Sequence, residues 1–166
     1  MPISSDIRET LLAREVGEGI LAAVGSLLDR DTYLLMVDAN ERSISHRLAM
    51  YLEREFPDFN IDCEYNRDGI EPKRLPALDL HPDSGDTDAK TVFPDIIVHR
   101  RGTNDDNLLV VEIKKTSNGD EREHDRRKLR GYKSILRYRY ALFLELAVGA
   151  EPGVAAVKWV DAQRVS

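Results

Sequence analysis

The sequence predicts a single mixed α/β domain in which helices flank a central mixed β-sheet. Two apolar segments of strand character, 93–99 and 108–114, are joined by a turn-rich link and therefore predict an antiparallel hairpin. Helical periodicity precedes this hairpin, and a polar helical segment follows it. The length of 166 residues is typical of one domain that has its own hydrophobic core.

The chain before the hairpin is predicted to be mainly helical. Apolar residues recur at helical spacing from about Asp6 to Leu28, although three glycines weaken this helix and leave its continuity open. A second helix is predicted to begin after Asp38 or Asn40, since either side chain can cap it, and to end at Pro57. A first strand is expected to follow this helix.

A long connection separates the first strand, predicted over 61–67, from the hairpin. Residues 69–92 include several Pro and Asp residues and show no clear periodicity. Loops of this length in a compact domain are usually functional or mobile. We therefore divide the single domain into an N-terminal helical extension, 1–37, and a core, 38–161, that contains this loop.

A helix and two strands are predicted after the hairpin. Asp120, with Glu123 three residues later, resembles a capping box for a helix that runs to about Tyr138. Residues 140–148 and 154–160 predict two closing strands. The resulting order is helix, helix, strand, hairpin, helix, strand, strand, which predicts an α/β or α+β fold around a mixed sheet.

Composition bounds the environment of the protein. No apolar run approaches the roughly 20 residues that cross a bilayer, and residues 1–6 do not resemble a secretory signal. Cys63 is the single cysteine, so no intramolecular disulfide can form and a reducing compartment is the simpler assumption. These features predict a cytoplasmic protein without a membrane partner.

Charge is distributed unevenly along the chain. The net charge is -6, but residues 1–90 carry 10 basic and 19 acidic side chains, whereas residues 91–166 carry 14 and 11. Basic side chains that could meet phosphates cluster in the helix after the hairpin: Arg122, Arg126, Arg127, Lys128, Arg130 and Lys133. The alternative is a solvated helix face, because acidic residues interleave with them and 121–128 contains no apolar residue that could face a core.

Three residues of the hairpin form the strongest candidate for catalytic chemistry. Since side chains alternate along a strand, Glu112 and Lys114 share one face of the second hairpin strand. The rest of this strand is apolar, which predicts a place in the middle of the sheet. Burial of Glu and Lys there is costly unless they are paired or bind a metal. Asp95 begins the neighbouring strand, so the two carboxylates and the ammonium predict a Mg²⁺ or Mn²⁺ site.

Such a site suits hydrolysis of phosphodiester bonds. The metal lowers the pKa of a water molecule and stabilises the phosphate, and Lys114 orients or helps to activate that water. The alternative is a structural Glu–Lys pair at a strand end beside an unrelated Asp.

At this point the sequence resembles a family. Pro94-Asp95, followed by Glu112-x-Lys114 at the end of an apolar strand, resembles the signature of the PD-(D/E)XK nuclease superfamily. The core of that restriction-endonuclease-like fold is helix, three strands, helix, strand, and the predicted order from about Glu41 to Val148 is similar to it. The resemblance covers about two thirds of the chain and implies cleavage of DNA or RNA.

The resemblance also implies roles for residues outside the motif. Many members carry a metal-organising Glu on the first core helix, and Glu41 is the candidate, although an acidic residue there also complements the helix dipole. The Ile113 carbonyl would be a further metal ligand. Asp125, Lys128 and Tyr132 match the polar helix that many members place near the site, but the Gln that is frequent there is absent.

Two main functions follow as expectations. The first is a Mg²⁺- or Mn²⁺-dependent nuclease, an endo- or exonuclease with DNA favoured over RNA as its partner. The second is a catalytically inactive module with the same fold that binds nucleic acid or a protein, which the net charge of -6 favours. A phosphohydrolase of small nucleotides is a weaker third. A homodimer would suit cleavage of two strands.

Overall fold

The structure is a computed structural model that describes residues 3–65, 74–75, 90–91 and 93–162. Its helices are α1 (Ser5–Leu12), α2 (Gly17–Arg30), α3 (Thr32–Met36), α4 (Glu41–Glu55) and α5 (Arg122–Ile135). Its strands are β1 (Asn60–Cys63), β2 (Arg74–Leu75), β3 (Lys90–Thr91), β4 (Ile96–His99), β5 (Leu109–Lys115), β6 (Tyr140–Ala147) and β7 (Gly153–Trp159). Within these residues, no helix is both long and apolar enough to cross a membrane.

The main sheet is mixed and contains five strands in the order β1-β4-β5-β6-β7. Strand β4 pairs antiparallel with both β1 and β5, so the predicted hairpin is confirmed. Strands β5 and β6 are parallel, with α5 as the connection between them, and β7 returns antiparallel along β6. The result is a mixed α/β fold with β5 at the centre of the sheet.

Apolar side chains are buried on both faces of this sheet. The larger cluster packs α1, α2 and α4 against one face, with Leu48, Val111 and Leu144 fully or almost fully buried. The smaller cluster lies between α5 and the opposite face and includes Tyr132 and Phe143. We call these the α4 face and the α5 face of the sheet.

Helix α4 begins and ends as its sequence predicts. The Asn40 side-chain oxygen accepts a hydrogen bond from the Ser43 N–H at 2.9 Å, which caps the first turn. The helix ends at Glu55, two residues before Pro57. This cap fixes Glu41 in the first turn of the helix, facing the end of β5.

Other predicted elements differ in detail. The N-terminal helix is two helices, because the chain turns between α1 and α2 and brings Gly17 against α1. A Cβ on Gly17 would lie 1.9 Å from the Leu11 carbonyl oxygen, so only glycine fits this approach. The capping box at Asp120 is wrong: α5 begins at Arg122, and its N-cap residue, Glu121, makes no side-chain capping bond.

The long connection contains a small element that its sequence did not reveal. Within 69–92, the short strands β2 and β3 pair antiparallel as a separate two-stranded sheet. The other residues of that segment, and 66–67 at the end of the predicted first strand, lie outside the described residues.

Candidate active site

The register of β4 and β5 brings the two predicted carboxylates together. Ile96 pairs with Val111, and one further step along the same register places Asp95 opposite Glu112. The side chain of Asp95 accepts a hydrogen bond from the Ile113 N–H at 2.7 Å. The Glu112 carboxyl is a further hydrogen-bonding partner of Asp95. Two acidic groups from adjacent strands therefore meet on the α5 face.

Glu112 is buried at 1% exposure in the middle of the sheet. Its Oε2 atom lies 3.1 Å from the Lys128 Nζ atom, whereas Oε1 is buried without a hydrogen-bond partner among the described residues. Burial, reinforced by the charge of Asp95, raises the pKa of Glu112 well above its ordinary value. A buried carboxylate oxygen without a donor is costly unless the group is protonated or meets a cation.

Asp95 connects the buried pair to solvent. Its pKa is raised chiefly by burial, and the Ile113 N–H and the charge of Lys128 oppose that rise. The side chain is partly exposed and lines a cavity of about 370 Å³. Asn40, Arg42 and Glu64 line the same cavity. A ligand in this cavity can therefore reach Asp95.

Glu41 also lines this cavity, beside the end of β5. Its Oε2 atom accepts hydrogen bonds from the Lys115 N–H at 3.4 Å and from the Asn118 side chain at 3.3 Å. Its negative charge is one of the causes that raise the pKa of Asp95. The candidate ligand on the first core helix is thus electrostatically coupled to the pair, although it is held by main-chain and amide donors.

Lys114 faces the same side of the sheet as Glu112 but does not pair with it. Its Nζ atom lies 2.8 Å from Oδ2 of Asp125, and the two side chains are only 7% and 10% exposed. The expected alternative of a structural Glu112–Lys114 pair is therefore wrong. Asp125 holds one ammonium of the cluster, and Lys128, from the next turn of α5, supplies the other.

Two more residues of α5 complete the surroundings of Glu112. Tyr132 is fully buried, and its hydroxyl makes no hydrogen bond within the described part of the chain. Burial raises the pKa of this tyrosine well above its ordinary value, and the charges of Glu112 and Asp95 add to the rise. Burial alone would lower the pKa of Lys128, but the same two carboxylates outweigh it and raise that pKa.

Most of the basic side chains predicted to meet phosphates have partners within the protein. Arg122 binds Glu145 at 2.6 Å, and Arg130 binds Glu123 at 2.7 Å. Arg126 and Lys133 make longer ion pairs of 3.8 and 3.7 Å with Glu123 and Asp161, and Lys128 belongs to the buried cluster. Arg127 is exposed to solvent on the outer side of the helix. Residues 121–128 therefore do not form a uniformly solvated face.

Ionic balance within the cluster favours an additional positive charge. Asp95, Glu112 and Asp125 carry three negative charges when ionised, whereas Lys114 and Lys128 carry two positive charges. The remaining negative charge is balanced either by a proton, which the raised pKa of Glu112 provides, or by a cation. The Glu112 oxygen without a hydrogen-bond partner in the described part of the chain is an atom that such a cation could bind.

The donor set fits magnesium better than a metal that prefers nitrogen or sulfur. Among the described residues, no group of three His, Cys, Asp or Glu side chains is placed to hold a metal ion. The acidic ligands next to the orphaned oxygen are a pair, Asp95 and Glu112. Magnesium is commonly bound by one or two carboxylates while it keeps several water ligands. The Ile113 carbonyl as a further ligand stays a prediction.

The fold and this cluster define the protein as a mixed α/β protein with a buried ionic site on the α5 face of its sheet. The chain matches none of the family models, curated proteins or solved structures with which it was compared. Its function is therefore inferred from the residues of the cluster and from the fold that positions them.

Proposed function

We propose that the protein is a divalent-metal-dependent nuclease that hydrolyses phosphodiester bonds of nucleic acid. One observation carries this proposal: the side chains of Asp95, directly before β4, and Glu112, on β5, meet, and a buried oxygen of Glu112 has no hydrogen-bond partner among the described residues. The largely buried Lys128 ammonium lies 3.1 Å from Glu112. The buried Lys114 ammonium, on the same face of β5, pairs with Asp125. Carboxylates that can hold a metal, next to cations that can meet a phosphate, are the groups that such hydrolysis needs.

The order of elements supports a restriction-endonuclease-like core within the mixed α/β fold. From α4 onward, the strands of the main sheet and the helices follow one another as helix, three strands, helix and strand. Asp95 directly precedes the second of these strands, and Glu112 and Lys114 lie on the third. The PD-(D/E)XK resemblance of the sequence leads us to expect motif residues at these two strands, which supports the proposal.

Asp95 and Glu112 would hold Mg²⁺ or Mn²⁺, with Glu41 adding negative charge from the other side of the cavity. When bound, the metal supplies charge neutralisation at the phosphate and lowers the pKa of an attacking water. The protein supplies the rest. The Ile113 N–H orients the Asp95 carboxyl through its 2.7 Å hydrogen bond, and the sheet excludes bulk water from Glu112.

The ammonium group of Lys114 would position water or a phosphate oxygen near the carboxylate pair. Asp125 holds that ammonium at 2.8 Å, so its orientation is fixed before a substrate arrives. A lysine ammonium oriented in this way can donate hydrogen bonds to an oxygen that gains negative charge in the transition state. Lys114 is therefore the catalytic lysine of the proposal, and Asp125 is a positioning residue.

Cleavage assays with matched variants test the proposal. The wild-type protein is incubated with single-stranded, duplex and branched DNA, with RNA, and with nucleoside triphosphates, in the presence of Mg²⁺ or Mn²⁺. We expect metal-dependent cleavage of a nucleic acid that Glu112→Gln or Lys114→Met reduces about a hundredfold or more. Lys115→Met is the control, because it removes the neighbouring ammonium, which binds Asp38 at 2.8 Å away from the pair.

The outcomes separate the functions. Wild-type rates in folded Glu112→Gln would refute the proposed site, and hydrolysis of nucleotides alone would replace the nuclease by a phosphohydrolase. Folding of each variant is verified by circular dichroism and thermal unfolding. This control is needed because Lys114→Met leaves the Asp125 carboxylate without its ammonium partner.

A second function, a catalytically inactive binding module, is favoured by a specific observation. The ammonium groups of the cluster are satisfied by the protein's own carboxylates, and several arginines of α5 are likewise engaged in ion pairs. On this reading the cluster is structural. A folded protein that cleaves no substrate and whose melting temperature is unchanged by Mg²⁺ and Mn²⁺ would support it.

A further inference from the structure

Lys128 occupies an unusual place for a residue of a basic helix. Its Nζ atom lies 3.1 Å from Glu112 and 3.5 Å from the carbonyl oxygen of Phe93, and its side chain is only 15% exposed. Asp95 adds its negative charge to the same surroundings. A carboxylate, a main-chain carbonyl and a second carboxylate around one cation are the oxygen ligands that a hard metal ion would use.

We propose that the Lys128 ammonium is a resident cation of the metal position, which a divalent ion must displace when it binds Asp95 and Glu112. This inference rests on the proposed function for the presence of the metal. It adds that α5 lowers the affinity of the site for the metal. Part of the free energy of metal binding is needed to separate the Lys128 ammonium from Glu112. Lys128 is thus a determinant of metal affinity, whereas the sequence grouped it with the phosphate-binding residues.

Repulsion between cations favours displacement over simultaneous occupancy. The Lys128 ammonium lies 3.1 Å from the Glu112 carboxylate that the metal would use, and the charge of Asp95 acts on the same ammonium. With this ammonium moved out, the two carboxylates are free to bind the metal, while Lys114 stays with Asp125. Two cations held in one small site of low dielectric would repel each other strongly.

The flexible side chain of lysine makes such an exchange mechanically simple. Four methylene groups allow the ammonium to swing toward solvent without a movement of the backbone. The carbonyl oxygen of Phe93 is its more distant partner, and the Phe93 side chain is 54% exposed at the edge of the site. Lys114 has no comparable freedom, since it is 5% exposed and held by Asp125.

Binding of Mn²⁺ alone, measured by titration calorimetry, tests the inference. We expect Lys128→Met, which keeps the unbranched stem, to bind Mn²⁺ at least about tenfold more tightly than the wild type. Lys133→Met is the matched control, because it removes an ammonium from the same helix whose partner is the exposed Asp161. It should change the affinity by less than about twofold. Adding Glu112→Gln to Lys128→Met should abolish the gain.

A second measurement uses the wild-type protein and does not depend on the folding of a variant. Acylation of lysines by a water-soluble reagent is followed by mass spectrometry with and without Mn²⁺. We expect Mn²⁺ to accelerate the modification of Lys128 and to leave the rate at Lys114 unchanged, because only the first ammonium moves into solvent. Equal rates at Lys128 with and without saturating Mn²⁺ would overturn the inference.

The results also distinguish this inference from the proposed function. If the wild type cleaves nucleic acid but Lys128→Met binds Mn²⁺ no more tightly, the nuclease stands and the resident-cation inference is wrong. If Lys128→Met binds Mn²⁺ more weakly, Lys128 assists the metal and the inference is also wrong. If neither protein binds Mn²⁺ and no substrate is cleaved, both are refuted.

Discussion

The two faces of β5 bury different kinds of side chains, apolar on one face and charged on the other. On the α4 face, Val111 and Ile113 pack into a large apolar cluster whose stability comes from excluded water and close packing. On the α5 face, Glu112 and Lys114 are equally buried but depend on two ion pairs with α5. One face of β5 thus contributes apolar packing, and the other contributes the charged groups of the candidate site.

The two faces differ in how much they contribute to the free energy of unfolding. Buried ion pairs rarely repay the full cost of removing their charges from water, whereas apolar packing contributes stability directly. A cluster with an orphaned carboxylate oxygen and a buried tyrosine hydroxyl is therefore an expensive element of the structure. Such local cost is typical of functional sites, which explains why we place function on the α5 face.

The largest effect on stability is expected on the α4 face. Leu144 is fully buried in the large apolar cluster on β6, so Leu144→Ala leaves a cavity. We expect it to lower the free energy of unfolding by about 3 kcal/mol, within a range of about 2–5 kcal/mol. Denaturant unfolding measures this change. The affinity for Mn²⁺ should be retained, and a loss of binding in the folded variant would break the division between the faces.

An effect of similar size is expected from the buried ion pair of the α5 face. Lys114→Met removes the ammonium that lies 2.8 Å from Asp125 and should cost about 3 kcal/mol, because the carboxylate stays buried without its partner. Lys114→Met combined with Asp125→Leu should recover most of that loss. A double-mutant cycle from urea unfolding gives the coupling energy. Strictly additive effects would show that this pair contributes no specific interaction.

An intermediate, pH-dependent effect is expected at Glu112. Its pKa is raised in the folded protein, so the folded state holds a proton that the unfolded chain releases at lower pH. The stability from this proton is fully present below the ordinary pKa of 4.5 and is lost as pH rises through the raised value. Relative to the wild type, Glu112→Gln should therefore gain stability as pH rises, by about 1.4 kcal/mol for every tenfold difference in proton affinity between the folded and unfolded carboxyl.

Unfolding of both proteins at about pH 5 and about pH 8, with a chelator present, measures this difference. The raised pKa of Asp95 acts in the same direction and is common to both proteins. A difference in stability that is the same at both pH values would show that burial does not raise the pKa of Glu112.

The smallest effect is expected on the solvent side of α5. Lys133 lies 3.7 Å from Asp161, and the side chain of that aspartate is 79% exposed. Exposed ion pairs of this kind are screened by water and salt, so Lys133→Met should change the free energy of unfolding by less than about 0.5 kcal/mol. Thermal unfolding in low and high salt is sufficient to check it. A larger loss would mean that the charged helix surface contributes to folding.

The elements of the sheet were largely predictable because local patterns determine them. The two hairpin strands are short, apolar and separated by turn residues, and alternation alone placed Glu112 and Lys114 on one face. The cap at Asn40 was predictable from its side chain. The division between α1 and α2 was not, because it depends on the close approach of Gly17 to the Leu11 carbonyl.

The pairing of charges within the site could not be read from local patterns. Neighbours on one face of a strand are about 6.6 Å apart, and each of the two on β5 meets the helix layer above it: Lys114 pairs with Asp125 and Glu112 with Lys128. The absence of apolar residues from 121–128 argued for solvent around Asp125 and Lys128, yet ion pairs hold both in the interior. A usable signal existed: Asp125, Lys128 and Tyr132 follow one another at spacings of three and four, on one side of a helix.

The register between β4 and β5 makes the site sensitive to the length of the chain as well as to its composition. Ile96 pairs with Val111, and this alignment is what places Asp95 opposite Glu112. A slip of one residue would turn the side chains of one strand to the other face, leaving a carboxylate among the apolar residues of the α4 face. Insertions or deletions that shift this register are therefore excluded more strictly than most substitutions in the surrounding helices.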